Sequence, residues 1–321
     1  MVDSDCSSTI IKDKLLIVTL LTIFGGILAD YKCPPNPDIF LPCECIVDPD
    51  ILPLYRSIYC KGDQLINLTA LFQRLSHELK VDEKDYLYFT LSNKAVDVLP
   101  ANVFADITFQ HVQLEGKNLT KVHRLALNGT QNTLKSLRTH SPLIDGDEDW
   151  DLFKAINLAP NLNFVEILFD NLTKIPDNAL QSHPNLQRID IAWSWSLTSI
   201  GRNAFKNLTK VESISIEGWV KDIGDEAFAV SHVSTDKRLW LSLLGNHLNN
   251  HNLRKEVFSG INRPVDLYII ENRLKFISES TYEAFLQQNP NHTIISDTDC
   301  MDSRNDWLRN KYPNQWEDLH C

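Results

Sequence analysis

His247 and His251 stand four residues apart, the spacing that places two imidazoles on one face of a helix and lets them share a zinc ion. They fall in "GNHLNNHNL", which reads as the connection after a strand, so two solvent-facing polar residues are the simpler expectation and no metal is expected. The acidic run Asp145, Asp147, Glu148, Asp149 and Asp151 has the density of a calcium loop but lacks the distal glutamate and the glycine spacing of the hand motif. It is read as a solvated loop insertion. "WSWS" offers Trp193 and Trp195 either as a ligand platform or as packing. The chain has no G-x-S-x-G elbow, H-E-x-x-H, phosphate loop or C-x-x-C. A non-catalytic protein without a cofactor is therefore the expectation.

Covalent chemistry is better represented. Lys12 and Lys14 precede "LLIVTLLTIFGGIL", which ends before the small residue Ala29. This reads as a signal peptide over residues 1–29, because the apolar run of about 15 residues is shorter than the roughly 20 that cross a bilayer. An uncleaved anchor is the alternative. Cleavage removes Cys6 and leaves Cys33, Cys43, Cys45, Cys60, Cys300 and Cys321, an even number suited to an oxidising, extracellular compartment. No second apolar run follows, so stable membrane insertion after cleavage is not expected. Six N-x-S/T acceptors, at Asn67, Asn118, Asn128, Asn171, Asn207 and Asn291, point to a secreted glycoprotein. A net charge of -11 argues against nucleic acid as a partner.

The elements that position these groups form a repeat. Leu241, Leu243, Asn246 and Leu248 recur at the same offsets as Leu267, Ile269, Asn272 and Leu274. The set Val165, Ile167, Asp170 and Leu172 matches, as does Val112, Leu114, Lys117 and Leu119. Phe89/Leu91/Val96, Ile189/Ile191 and Ile214/Ile216 follow less perfectly. The period is about 23 to 28 residues, with about eight units between 86 and 290. Two apolar residues two apart fit a strand with one buried face. The polar residue that follows turns inward and serves backbone groups leaving the strand. Asp170, Lys117, Ser194 and Trp219 are expected there in the repeats that lack asparagine.

This pattern resembles the leucine-rich repeat, and the resemblance covers about two thirds of the chain. It implies an α/β solenoid with a parallel sheet on its concave face and a convex side of irregular or short helical connections. Residues 30–85 resemble the N-terminal cysteine cap and first strand of extracellular members. The family pairing implies Cys33–Cys45 and Cys43–Cys60. Residues 291–321 are similar to a reduced C-terminal cap, which implies Cys300–Cys321 and makes Trp307 the cap tryptophan. Within the family, "CPPNPDIFLPCECIVD" resembles an arthropod group named after the non-catalytic subunit of Oplophorus-luciferin 2-monooxygenase. That resemblance implies an accessory subunit that binds or stabilises another secreted protein.

Residues flanking the two core positions of each strand should line the concave face. His111, Gln113, Ser136 and Arg138 come first, then Phe164, Glu166 and Leu168, then Arg188, Asp190 and Trp193. Ser213, Ser215 and Glu217 follow, then Trp240 and Ser242, then Asp266 and Tyr268. Aromatics beside charges of both signs are what protein interfaces favour. Phe164, Glu166, Arg188, Asp190, Trp193, Glu217, Trp240 and Tyr268 are the expected contact set for a secreted or cell-surface protein. An extracellular recognition or adhesion protein, in immunity or matrix, is the competing function. An enzyme with an unfamiliar site is the remaining one.

Overall fold

The computed structural model describes residues 32–47, 55–230, 237–317 and 319. The expected signal segment, residues 1–29, and Cys321 lie outside them. No helix among the described residues is long and apolar enough to cross a membrane.

The described chain carries strands β1 (Glu44–Val47), β2 (Arg56–Gly62), β3 (Asp85–Asn93), β4 (Val98–Leu99), β5 (Thr108–Leu114), β6 (Lys121–Val122), β7 (Ser136–His140) and β8 (Phe164–Leu168). It continues with β9 (Lys174–Ile175), β10 (Arg188–Ser194), β11 (Ser199–Ile200), β12 (Ser213–Gly218), β13 (Asp222–Ile223), β14 (Leu239–Ser242), β15 (Val265–Tyr268) and β16 (Thr293–Ile295). One sheet runs β1-β2-β3-β5-β7-β8-β10-β12-β14-β15-β16. Only β1 against β2 is antiparallel in it; each later strand pairs in parallel with the next. Parallel neighbours need a crossover between them, and here each crossover is one turn of a solenoid. The sheet includes β2 and β16, which lie outside the 86–290 span read as repeats.

Register explains the buried pattern. Ile58, Phe89, Val112, Leu137, Val165, Ile189, Ile214, Leu241, Leu267 and Ile294 stand directly beside one another across ten strands. All are buried. A strand alternates faces every residue, so this row and the one two residues on face the connections, and the residues between them face outward. Phe104, Phe205, Phe228 and Phe258 of the connections close the core from the other side. Phe205 and Phe228 stack at 5.6 Å and 4°. Two residues before Phe104, Leu180, Phe205 and Phe228 the chain takes a left-handed residue: Asn102, Asn178, Asn203 and Glu226, at φ 52–56°. Three are asparagine, which tolerates that conformation best after glycine.

The ends are closed differently. Cys33–Cys45 and Cys43–Cys60 are bonded, and Cys60 belongs to an inward row, beside Leu91. At the other end Asn305 accepts from the Ile277 N–H at 2.7 Å and donates to Asp299 O at 2.8 Å. Trp307 Nε1 donates to Ile277 O at 2.8 Å. Cys300 is disulfide-bonded; its expected partner, Cys321, falls outside the described residues.

Candidate partner-binding face

The polar ladder inside the solenoid sets what the outer face presents. Asn246 donates to Ile216 O at 2.8 Å and accepts from the Val220 N–H at 3.1 Å. Asn272 repeats this one turn on, donating to Leu243 O at 2.8 Å and accepting from the Leu248 N–H at 3.1 Å. Asp170 accepts from the Leu172 N–H at 2.8 Å and from Ser194 Oγ. Burial raises the Asp170 carboxyl above its ordinary value, and the Ser194 hydrogen bond offsets part of that rise.

Two expectations fail at this ladder. Lys117 and Trp219 are exposed, and the buried residues at those turns are Gly116 and Gly218. The repeats come in two lengths. The inward residue stands three positions after the last core residue in Ile167 to Asp170, Ile191 to Ser194, Leu243 to Asn246 and Ile269 to Asn272. It stands two positions after in Leu91 to Asn93, Leu114 to Gly116 and Ile216 to Gly218. A single offset applied to both kinds misplaces the short ones by one residue. At Gly218 the inward place is tight: a Cβ there would stand 2.7 Å from Ser194 O.

The additional residue of each long repeat sits in left-handed backbone: Phe169 (φ 58°), Trp193 (φ 54°), Gly245 (φ 68°) and Glu271 (φ 56°). At Trp193 it is a bulge, with pairing shifted between Ile191 and Ser194. Glycine takes this conformation freely; an aromatic residue there costs about 1–2 kcal/mol. Phe169 is 52% exposed and Trp193 43% exposed, with ring centroids 4.4 Å apart. Phe169 was not among the residues expected from the sequence. Its signal is the three-residue step from Ile167 to Asp170, which leaves room for one more outward side chain than a plain strand.

The remaining expected residues share the same face. Ser136, Phe164, Arg188, Ser213, Trp240 and Asp266 form one row, and Arg138, Glu166, Asp190, Ser215, Ser242 and Tyr268 the next. Their charges are mutually occupied. His140 Nε2 donates to Glu166 Oε1 at 2.9 Å, and Arg188 holds Asp190 at 2.7 Å. Arg138 and Arg188 lie over the two sides of the Phe164 neighbourhood, 5.0 and 5.4 Å from its ring. Glu166 and Asp190 side chains are consequently only 19% and 14% exposed, less open than free surface carboxylates. Trp240 is half exposed and stacks on Tyr268 at 4.6 Å and 16°. Between the Phe164–Arg188 and Trp240–Tyr268 ridges the face carries Ser213, Ser215 and Ser242, a trough of small hydroxyl side chains.

A second aromatic line follows the inward residues. Trp195 lies 6.4 Å from Trp219, and Trp219 stacks on His247 at 5.4 Å. His247, expected to be merely solvent-facing, also contacts Arg273 through Nε2 at 3.2 Å. The acidic run is spent locally: Asp145 accepts from the Thr173 N–H, Asp147 from the Asp149 and Trp150 N–H groups, and Asp151 caps the helix Leu152–Asn157. Among the described residues no three potential ligands converge on a metal position. Away from the open face, a cleft of about 640 Å³ is lined by Lys174, Asp177, Arg202, Asp225 and Arg254, with Arg254 3.1 Å and Arg202 3.8 Å from Asp225.

A parallel sheet of one strand per turn, with a buried asparagine ladder at its edge, decides the fold. The fold is a leucine-rich-repeat solenoid. A family model described as BspA type leucine rich repeat region, in six copies, matches residues 152–238. That span holds β8, β10 and β12, and with them Phe164, Glu166, Arg188, Asp190, Trp193 and Glu217. No curated protein matches the chain. Leucine-rich-repeat solenoids use their extended sheet face to bind other proteins, and here that face holds the exposed aromatic residues.

Of the six acceptor asparagines, Asn67, Asn118, Asn171, Asn207 and Asn291 are exposed and Asn128 is half-buried. Asn128 donates to Asn102 Oδ1 at 2.8 Å, and its acceptor-motif Thr130 is wholly buried against Phe109.

Proposed function

We propose that this chain is a secreted, non-catalytic binding protein whose open sheet face holds another extracellular protein. The observation that carries this reading is the pair Phe169 and Trp193. Both stand in left-handed backbone, where the long repeat of β14 supplies Gly245, and both are about half exposed. A bulky ring in a conformation that glycine takes more cheaply contributes little to folding. Its use is the surface it presents. Exposed aromatics and arginine on one face, as Trp193 and Phe169 share theirs with Arg188, are the residue types that protein-binding centres favour.

Secretion is supported by the disulfides at Cys33–Cys45 and Cys43–Cys60 and by five exposed acceptor asparagines. The resemblance of "CPPNPDIFLPCECIVD" to the Oplophorus-luciferin 2-monooxygenase non-catalytic subunit group supports an accessory role, in which the chain stabilises a secreted partner. The non-catalytic reading is supported by the face itself, where Glu166 and Asp190 are held by His140 and Arg188 rather than left to act on a substrate.

The test is capture of partners from the secretions of the source organism on immobilised, disulfide-intact protein, followed by hydrogen exchange on the purified complex. Protection is expected along β8, β10, β12 and β14 and at the backbone of Phe169 and Trp193. Protection confined to the connections and absent from these strands would place the binding surface elsewhere.

A further inference from the structure

The charges of the open face are neutralised unevenly. Glu166 is held by His140 and approached by Arg138, Asp190 by Arg188, and Asp266 by Arg238 at 2.6 Å. Glu217 and Glu271 have no cation within ion-pair distance among the described residues. Glu217 is the penultimate residue of β12, and Glu271 occupies the left-handed position after β15. The strand between them, β14, is followed by Gly245 at φ 68°, which contributes no side chain. A Cβ built there would lie 3.4 Å from Glu217 Cγ, so the Glu217 side chain lies against Gly245, and no side chain of that turn stands between the two glutamates. Asp297, which accepts the Glu271 N–H at 2.9 Å, extends the negative edge. Burial, and then the charge of Glu271, hold the Glu217 carboxyl above its ordinary value.

Aromatic surface adjoins these carboxylates. Ser194 pairs with Gly218, which brings the exposed Trp193 alongside Glu217, and Trp219 follows Gly218 directly. The protein already shows what such a combination holds. The guanidinium groups of Arg138 on β7 and Arg188 on β10 lie over Phe164 of β8 while facing Glu166 and Asp190. An arginine is stabilised there by a ring face and a carboxylate together. The same two ingredients recur at Trp193, Glu217 and Glu271 without the cation.

We propose that this edge of the open face receives a basic segment of the partner protein, with an arginine or lysine side chain seated between Glu217 and Glu271 beside the exposed indoles. The proposal rests on the reading of this face as a protein-binding surface and adds the chemistry of the partner. The net charge of -11 on the chain acts in the same direction, drawing a basic partner at long range.

The experiment uses the full disulfide-bonded chain and two defined probes: an amidated peptide of alternating arginine and glycine, and its counterpart with citrulline, a neutral isostere, at every arginine. The arginine peptide should bind wild-type protein at least about ten-fold more tightly than the citrulline peptide. Glu217→Gln/Glu271→Gln should remove that preference, while Glu78→Gln/Asp82→Asn, at exposed acids off this face, should keep it. Equal binding of the two peptides to wild type overturns the inference. So does an equal loss in both double variants, which would mean that only overall charge is being read. Against a captured natural partner the two readings separate. Loss of binding in Trp193→Ala with Glu217→Gln/Glu271→Gln unaffected removes the basic-segment inference alone. Normal binding by every variant removes the face as well.

Discussion

Replacing Asn246 by alanine tests the ladder that fixes the register of every outward side chain. Asn246 is 2% exposed and makes four hydrogen bonds to backbone: to Ile216 O, Leu243 O and Leu244 O, and from the Val220 N–H. Leu243 O keeps another donor in Asn272 at 2.8 Å. The groups stranded by the substitution are therefore Ile216 O and the Val220 N–H, both in wholly buried residues. Each unpaired buried group costs about 1–3 kcal/mol, so the expected loss is about 2–6 kcal/mol. Equilibrium urea unfolding followed by far-ultraviolet circular dichroism measures it, with an unchanged m value showing that cooperativity is kept. The control is His251→Ala, an exposed residue expected to shift stability by no more than about 0.5 kcal/mol. Asn250, which its place in the connection would suggest as a neutral control, is unsuitable. Its side chain donates to Phe276 O at 2.7 Å and accepts from the Lys275 N–H at 3.3 Å, joining two turns. A loss at Asn246 below about 1 kcal/mol would refute the ladder argument, because orphaned groups in a dry core cannot be that cheap.

Three further outcomes are expected. His292 is wholly buried, stacked 4.1 Å from Phe285, and burial, with Arg238 second, lowers its pKa to about 4. The folded state thus holds it neutral while the unfolded chain takes a proton near pH 6.5, so its contribution is full above that pH and is lost as pH falls toward 4. The loss is at most about 3 kcal/mol, and His292→Phe should flatten that part of the stability–pH curve. Gly224→Ala should destabilise by about 1–3 kcal/mol, since its Cβ would meet the Arg202 backbone nitrogen at 2.4 Å, and a melting temperature equal to wild type would show that the turns have slack. Mass spectrometry of protein secreted from insect cells should find the chain starting near Asp30, Cys300 joined to Cys321, and glycan at Asn171 and Asn118. A free Cys300 thiol or an intact apolar leader would contradict the secreted, capped reading.

Much of the fold was legible because burial repeats with the solenoid turn. Leu241, Leu243, Asn246 and Leu248 identify strand, core and ladder from four letters, and the cap disulfides at Cys33, Cys43, Cys45 and Cys60 accompany them. The site was legible only to first order. Outward residues can be counted from a strand, which placed Phe164, Arg188, Trp193 and Trp240 on one face. The insertion of one left-handed residue per long repeat cannot be counted that way, so Phe169 was missed and Lys117 and Trp219 were turned inward. Charge pairing was hidden for a different reason. Glu166 meets His140 and Arg138 from the preceding strand, 26 and 28 residues away in sequence, and only the stacking register brings them together. What reads in one dimension as a face of mixed charge is a face whose central charges cancel, leaving the aromatics and the Glu217–Glu271 edge as its available chemistry.

The most direct measurement is the affinity of Trp193→Gly for the captured partner, taken together with its stability. Glycine suits the φ of 54° at this position and relieves the strain of the indole, which offsets the lost contact with Phe169. Stability should therefore stay within about 1 kcal/mol of wild type, while binding weakens by about 2 kcal/mol or more, the loss of an interface anchor. Unchanged affinity, or a collapse in stability that accompanies the weaker binding, would mean that Trp193 serves the solenoid and not a partner.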